Sequence, residues 1–330
     1  MITNLTVNIG KLKLENPVMV CSGTFGYAGE FKDFLPLKKL GAIVTKTITL
    51  NPRQGNFPPR TCETPAGMLN SIGLENPGLA GFLNEKLPIL KKIGVPVIVS
   101  VASEGGIAEF VKAVSELNDF KEVAAIELNI SCPNIESPVT SHLSPVTGRQ
   151  SPVACRRLPV FKNRRLISQD PQATYQLVKQ VRKATKKTLI TKLSPNVTDI
   201  SEIALAAENA GSDAVSLINT LMGMSIDTKT MKPKVAAVIA GLSGPAIRPV
   251  AVRMVWEVYQ KIKLPIIGMG GIIDTSSALE FFLAGSTAIG VGTANFIDPA
   301  ATISILQGIK SYLRKNRINN IAKLIGGLKV

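Results

Sequence analysis

The chain has 330 residues, 45% hydrophobic and only 5% aromatic, so its length fits one (β/α)8 barrel with insertions and its core is expected to be aliphatic. A single histidine, His142, excludes a Ser-His-Asp triad or a histidine-rich metal site elsewhere, and the four cysteines show neither C-x-x-C nor metal-ligand spacing. The net charge of +15 is spread along helix-like segments such as Lys91-Lys92 and Arg314-Lys315, lacks the aromatics of a nucleic-acid stacking surface, and reads as solvated helix faces.

Leu5–Leu14 alternates around Gly10-Lys11 and reads as a hairpin plugging the bottom of a barrel. Pro17–Cys21 and Ala42–Thr47 are the first strand candidates, and residues 48–76, rich in Pro, Gly and Asn, read as a long loop. An amphipathic stretch near 77–92, the strand Pro96–Val101, a stretch near 105–119 and the strand Val123–Ile130 follow. Beyond residue 170 the alternation resumes: 171–187, Thr188–Leu193, 199–210 and Ala214–Asn219. After a second long loop, 220–247, come 248–263, Pro265–Met269, 275–284, Ala288–Val291 and 299–314. Eight strands alternating with helices predict parallel pairing through right-handed crossovers. No G-x-G-x-x-G follows the first strand, which speaks against an open doubly wound sheet. The expected fold is α/β, a (β/α)8 TIM barrel over residues 1–330, with both long loops on its C-terminal face. No secretory signal opens the sequence and no apolar run approaches about 18 residues, so a soluble, cytoplasmic protein with reduced cysteines is expected.

One segment breaks the alternation. Ser-Pro-Val recurs at 137–139, 144–146 and 151–153, and Leu158-Pro159-Val160 continues the spacing. Prolines at this interval forbid a heptad helix. Residues 135–170 carry six Lys/Arg against two acids, and read as an atypical basic insertion in the loop after strand four.

The chemistry is expected where strands end. Asn129-Ile130-Ser131-Cys132-Pro133-Asn134 crowds two amides and a thiol at the end of a buried strand, where they have little packing value. Gly268-Met269-Gly270-Gly271 and Gly290-Val291-Gly292-Thr293 end the last two strands, and Gly241–Pro245 could close the same site. Glycines there let backbone N–H groups approach a phosphate. Lys46 and Lys192 sit late in strands, where a lysine is costly without an anionic partner. Lysines, amides, hydroxyls, one thiol and a phosphate cradle, without metal ligands, suit a phosphorylated cofactor and a small, planar, anionic substrate.

These pieces resemble the class 1 dihydroorotate dehydrogenases, most closely the class 1B catalytic subunit. The resemblance rests on Asn51-Pro52-Arg53, Gly67–Gly78 (GMLNSIGLENPG), Asn129–Asn134 (NISCPN), Lys192–Asp199 (KLSPNVTD), Ile218–Gly223 (INTLMG) and Gly241–Ile247 (GLSGPAI). It implies FMN-dependent oxidation of dihydroorotate to orotate in pyrimidine biosynthesis. Cys132 would remove the C5 proton while hydride passes from C6 to the flavin. Lys46, Asn70, Ser71, Ile72, Gly73, Leu74, Asn129, Asn219 and Thr220 would hold the substrate. Ser22, Lys46, Thr47, Ser100, Asn129, Lys192, Ile218, Gly244, Gly270, Gly271, Gly292 and Thr293 would line FMN, with Ser100 standing where the family often has Asn. The resemblance further implies a homodimer core with a partner subunit carrying FAD and a [2Fe–2S] cluster, which passes electrons to NAD+. This chain has too few cysteines at the wrong spacing to hold such a cluster itself. The class 1A, fumarate-using homodimer is the nearest alternative. A flavin-binding protein without turnover is another, because the family's Gly-rich lid is not recognisable after Asn134.

Overall fold

A computed structural model describes residues 3–130 and 166–330. Cys132, His142, Cys155 and the proline repeat lie outside the described residues.

Eight strands close into a barrel: β1 (Val18–Val20), β2 (Ala42–Val44), β3 (Val97–Val101), β4 (Val123–Asn129), β5 (Thr188–Lys192), β6 (Ala214–Leu217), β7 (Ile266–Met269) and β8 (Ala288–Val291). Each pairs in parallel with its sequence neighbours, and β8 closes on β1 through Ile289↔Val18 and Val291↔Val20. β3 and β5 are buried along their whole length, which explains their unbroken apolar character: parallel strands are covered on both faces.

Helices cover the outside: α1 (Leu87–Ile93), α2 (Ile107–Leu117), α3 (Pro171–Ala184), α4 (Ile200–Asn209), α5 (Arg248–Tyr259), α6 (Thr275–Ala284) and α7 (Ala301–Lys315). Their starts follow local chemistry. Asp170 caps α3 by accepting from the N–H groups of Gln172 and Ala173, at 2.8 and 3.1 Å, and Pro171 supplies a first residue that has no N–H to satisfy. Asp199 and Asp274 cap α4 and α6 in the same manner. α1 stops at Gly94, whose φ of 79° needs no Cβ penalty. Between β1 and β2 the chain instead makes two 3-10 turns, Gly29–Phe31 and Leu37–Lys39.

The N-terminal hairpin is present, Val7–Ile9 pairing with Leu12–Leu14. Ile9 and Leu14 are fully buried in one cluster with the barrel residues Met19, Ala42, Ile98 and Ile190. Two expectations need correction. The strands at 42–47 and 214–219 end early, at Val44 and Leu217. Past Val44 the chain bulges, the Lys46 N–H turning to Gly26 O at 3.0 Å before Ile48 N rejoins Ser100 O at 2.9 Å. The loops 48–76 and 220–247 also contain strands. Thr61–Thr64, Gly67–Asn70, Ala240–Ser243 and Leu221–Gly223 build a four-stranded antiparallel sheet in which Gly241 pairs with Asn70 and Met222 with Gly241. Leu69, Val235 and Ala240 give this sheet a small core of its own.

Candidate active site

The C-terminal ends of the barrel strands and the antiparallel sheet enclose one cavity. Its floor is a polar layer inside the barrel. Thr47 Oγ1 lies 2.9 Å from Ser22 Oγ and 3.0 Å from Ser100 Oγ, and accepts from Asn129 Nδ2 at 3.1 Å. Ser100 Oγ donates to Glu127 Oε1 at 3.1 Å, Ser216 Oγ donates to Glu127 Oε2 at 2.9 Å, and Lys192 Nζ stands 3.8 Å from Glu127 Oε1. Glu127 and Lys192 are both buried, so each depends on the other and on these hydroxyls to offset the cost of leaving water.

The walls come from four directions. Lys46 enters from the bulge after β2, and Asn129 from the end of β4. Ile218, Asn219 and Thr220 follow β6, with Asn219 Nδ2 3.5 Å from Asn129 Oδ1. Asn70, Ile72, Gly73 and Leu74 descend from the antiparallel sheet. Among the described lining residues the charged side chains are Lys46 and Lys192, so the cavity is built to take an anion.

Opposite these stands a glycine cradle. Gly270 and Gly271 follow β7, Gly292 and Thr293 follow β8, and Gly244 precedes α5. A Cβ at Gly271, where φ is 75°, would sit 2.8 Å from both Gly244 O and Arg248 Cβ; one at Gly244 would lie 2.7 Å from Gly67 Cα. Only glycine fits these places. α5 has no acidic residue in its first turn, so the positive end of its dipole is uncompensated by its own sequence. Thr293 Oγ1 and Ser243 Oγ lie 2.9 Å apart at the same rim. The arrangement fits a phosphate group held by backbone at the barrel's last two strands.

Of the expected site residues, Ser22, Lys46, Thr47, Asn70, Ile72, Gly73, Leu74, Asn129, Lys192, Ile218, Asn219, Thr220, Gly244, Gly270, Gly271, Gly292 and Thr293 all line the cavity. Ser71 does not. It is buried in the loop, its N–H donating to Arg60 O at 2.7 Å and its hydroxyl accepting from Asn56 Nδ2 at 2.8 Å. Ser100 is fully buried one layer below the cavity, hydrogen-bonded between Thr47 and Glu127. Cys132 lies outside the described residues.

Sequence reasoning missed Glu127, Ser216 and Cys21. Glu127 had a readable signal: it is a lone charge in the apolar run Val123–Ile130 and, two residues before Asn129, shares its face of the strand. Cys21 lines the cavity with its Sγ 3.8 Å from Met269 Sδ. Burial pushes its thiol up to about 12, against a smaller opposing pull from Lys192, with Glu127 adding to the rise. It is therefore held as a thiol and is unsuited to act as a base or nucleophile near neutrality. No group of three or more His, Cys, Asp or Glu among the described residues could hold a metal ion. No helix among them is long and apolar enough to cross a membrane.

A family model described as dihydroorotate dehydrogenase matches residues 4–143 and 156–313. The chain is 48% identical over 327 residues to the dihydroorotate dehydrogenase B (NAD(+)), catalytic subunit, of Geotalea daltonii, covering 99% of each chain. It is 46% identical to the protein of the same name from Thermoanaerobacter pseudethanolicus and 45% identical to that of Bacteroides thetaiotaomicron, again over 327 residues and 99% of each chain. The chain belongs to the dihydroorotate dehydrogenase family.

Proposed function

We propose that this chain is the catalytic subunit of a class 1B dihydroorotate dehydrogenase, oxidising (S)-dihydroorotate to orotate in pyrimidine biosynthesis. One observation carries the reading: a glycine cradle, two lysines and three asparagines converge on one cavity in a member of this family. The relatives' names favour the NAD+-linked class over the fumarate-using one.

The family implies a flavin, and the donor set suits FMN. The cradle of Gly244, Gly270, Gly271, Gly292 and Thr293 would take its phosphate, and Ser22, Thr47, Asn129, Lys192 and Ile218 would face its ring system. Bound there, the flavin supplies the acceptor for the hydride leaving C6 of the substrate. The protein's own residues do the rest. Lys46 balances the orotate carboxylate, and Asn70, Asn129, Asn219 and Thr220 orient the ring through its hydrogen-bonding edges. Ile72, Gly73 and Leu74 close that side. Cys132, three residues after Asn129, takes the proton from C5, so the substrate loses one proton and one hydride and gains a C5–C6 double bond. Cys21, though in the cavity, is ill suited to that role because burial raises its thiol pKa.

The word "subunit" in the relatives' names fits a complex in which electrons leave through a second chain. In our reading this partner carries FAD and a [2Fe–2S] cluster, and a homodimer of the present chain forms the core of a heterotetramer. The segment 135–170 is read as an insertion in a single catalytic domain. The family match breaks off after residue 143 and resumes at 156, which supports an insertion over the central part of that segment, 144–155. That break favours one second reading, a flavin-binding chain without turnover, because it falls where a lid would follow Cys132.

The test is to co-express the chain with an FAD/iron–sulfur subunit, identify the extracted flavins by chromatography, and assay dihydroorotate-dependent reduction of NAD+. The proposal expects FMN on this chain and NAD+ reduction that requires both subunits. FMN without any NAD+ reduction would favour the second reading.

A further inference from the structure

Glu127 is the point at which the polar layer under the cavity ends. It is 1% exposed, it is the carboxylate paired with Lys192, and it accepts from Ser100 and Ser216. A paired carboxylate has no hydrogen to give, so both serines must donate to it. Each hydroxyl has one hydrogen. Ser100 spends its hydrogen on Glu127, so Thr47 must donate to Ser100. Thr47 in turn can only accept from Ser22 and from Asn129 Nδ2. One buried charge thus dictates the hydrogen-bond direction of a chain that runs Ser22, Thr47, Ser100, Glu127. The wall residues Ser22 and Asn129 then present fixed polarities to the cavity. Ser22 offers lone pairs, and Asn129 is oriented with its amide nitrogen toward the floor.

The same carboxylate acts on Lys192. That lysine lines the cavity, and Glu127 stands 3.8 Å behind its Nζ. A cation facing the site favours added electrons there, and a carboxylate behind the cation offsets part of that effect in a region where water does not screen it.

We propose that Glu127 is a positioning residue for the flavin site: it holds Lys192, offsets its charge, fixes the hydrogen-bond polarity of Ser22, Thr47 and Ser100, and thereby sets the reduction potential of the bound flavin. This rests on the flavin reading above. Removing the carboxylate leaves the Lys192 charge uncompensated and allows the hydroxyl chain to reverse, because a carboxamide both donates and accepts.

The experiment is an anaerobic measurement of the flavin midpoint potential in the full chain, by equilibration with reference dyes, alongside flavin affinity from fluorescence. Glu127→Gln is expected to shift the potential to more positive values, and Glu127→Asp, which keeps the charge, to stay near wild type. A Glu127→Gln protein that binds flavin at the wild-type potential overturns the proposal. If Glu127→Gln does not fold, Lys192→Met is compared with the Glu127→Gln/Lys192→Met pair, which leaves no lone buried charge. The single variant is then expected at the lower potential, and equal potentials overturn the proposal. Wild-type chain that takes up no flavin at all refutes the functional reading itself, an outcome distinct from either of these.

Discussion

Thr47 and Asn129 meet in the barrel mouth, Nδ2 to Oγ1 at 3.1 Å, although 82 residues separate them in sequence. Thr47 joins β2's bulge to β3 through Ser100, to β4 through Asn129, and to the end of β1 through Ser22. Thr47→Val keeps the shape and removes all three bonds. Because Asn129 and Ser100 are buried, the loss is expected to cost about 1–3 kcal/mol, measured as a lower midpoint in urea unfolding. An unchanged midpoint would show that the hydroxyl is not a structural junction.

Gly271→Ala tests the phosphate cradle. Its φ of 75° and the 2.8 Å approach to Gly244 O leave no room for a methyl group. The backbone strain alone is expected to cost about 1 kcal/mol or more. Flavin retained through gel filtration is expected to fall at least tenfold, while the circular dichroism of the barrel persists. Full flavin content in this variant would move the phosphate elsewhere.

Cys21 gives a pH prediction. Its folded-state pKa is raised from 9.0 to about 12, so folded and unfolded chains both carry the proton below pH 9. Between those values the unfolded chain loses it and the folded chain keeps it. Unfolding then releases a proton, and stability falls as pH rises through that window, by about 1.4 kcal/mol per pH unit. Cys21→Ala is expected to lack this component of the alkaline decline. Iodoacetamide at pH 8 is likewise expected to leave Cys21 unmodified in the folded chain, and rapid labelling there would contradict the buried thiol.

Asp274 caps α6 by accepting from Ser277 N–H at 2.7 Å, and its carboxyl is held below the usual range by the Ser277 side chain and backbone. This stabilisation is present above the ordinary Asp pKa and is lost as pH falls through the lowered one. Asp274→Ala is expected to cost about 1 kcal/mol at neutral pH, read by urea unfolding, and to show less further loss in acid than wild type.

The barrel was legible because its strands are buried on both faces and its helices announce their starts. β8 at Ala288–Val291 and α6 at Thr275–Ala284 fall where the pattern puts them. The cavity was legible because amides, lysines and paired glycines gather at the ends of buried strands, where polar groups have little packing value. The antiparallel sheet was not. Asn70 and Gly241 are 171 residues apart, and strands of three or four residues rich in glycine carry no period to count. Ser100, which the resemblance put beside the flavin, is buried between Thr47 and Glu127 and does not line the cavity, a depth that strand position alone does not give. Glu127 was absorbed into an apolar run, where its charge should have raised the question of what pairs with it.

Oxidation of dihydroorotate in this cavity, with Cys132 as the base, is open to a direct half-reaction test. The most direct measurement mixes the FMN-loaded chain with dihydroorotate in the absence of oxygen and follows the oxidised-flavin absorbance. Rapid bleaching is expected in wild type, and a loss of several orders of magnitude in rate for Cys132→Ala, with flavin content unchanged. Flavin that stays oxidised in the wild-type chain, or bleaches equally fast without Cys132, would contradict the proposed reaction.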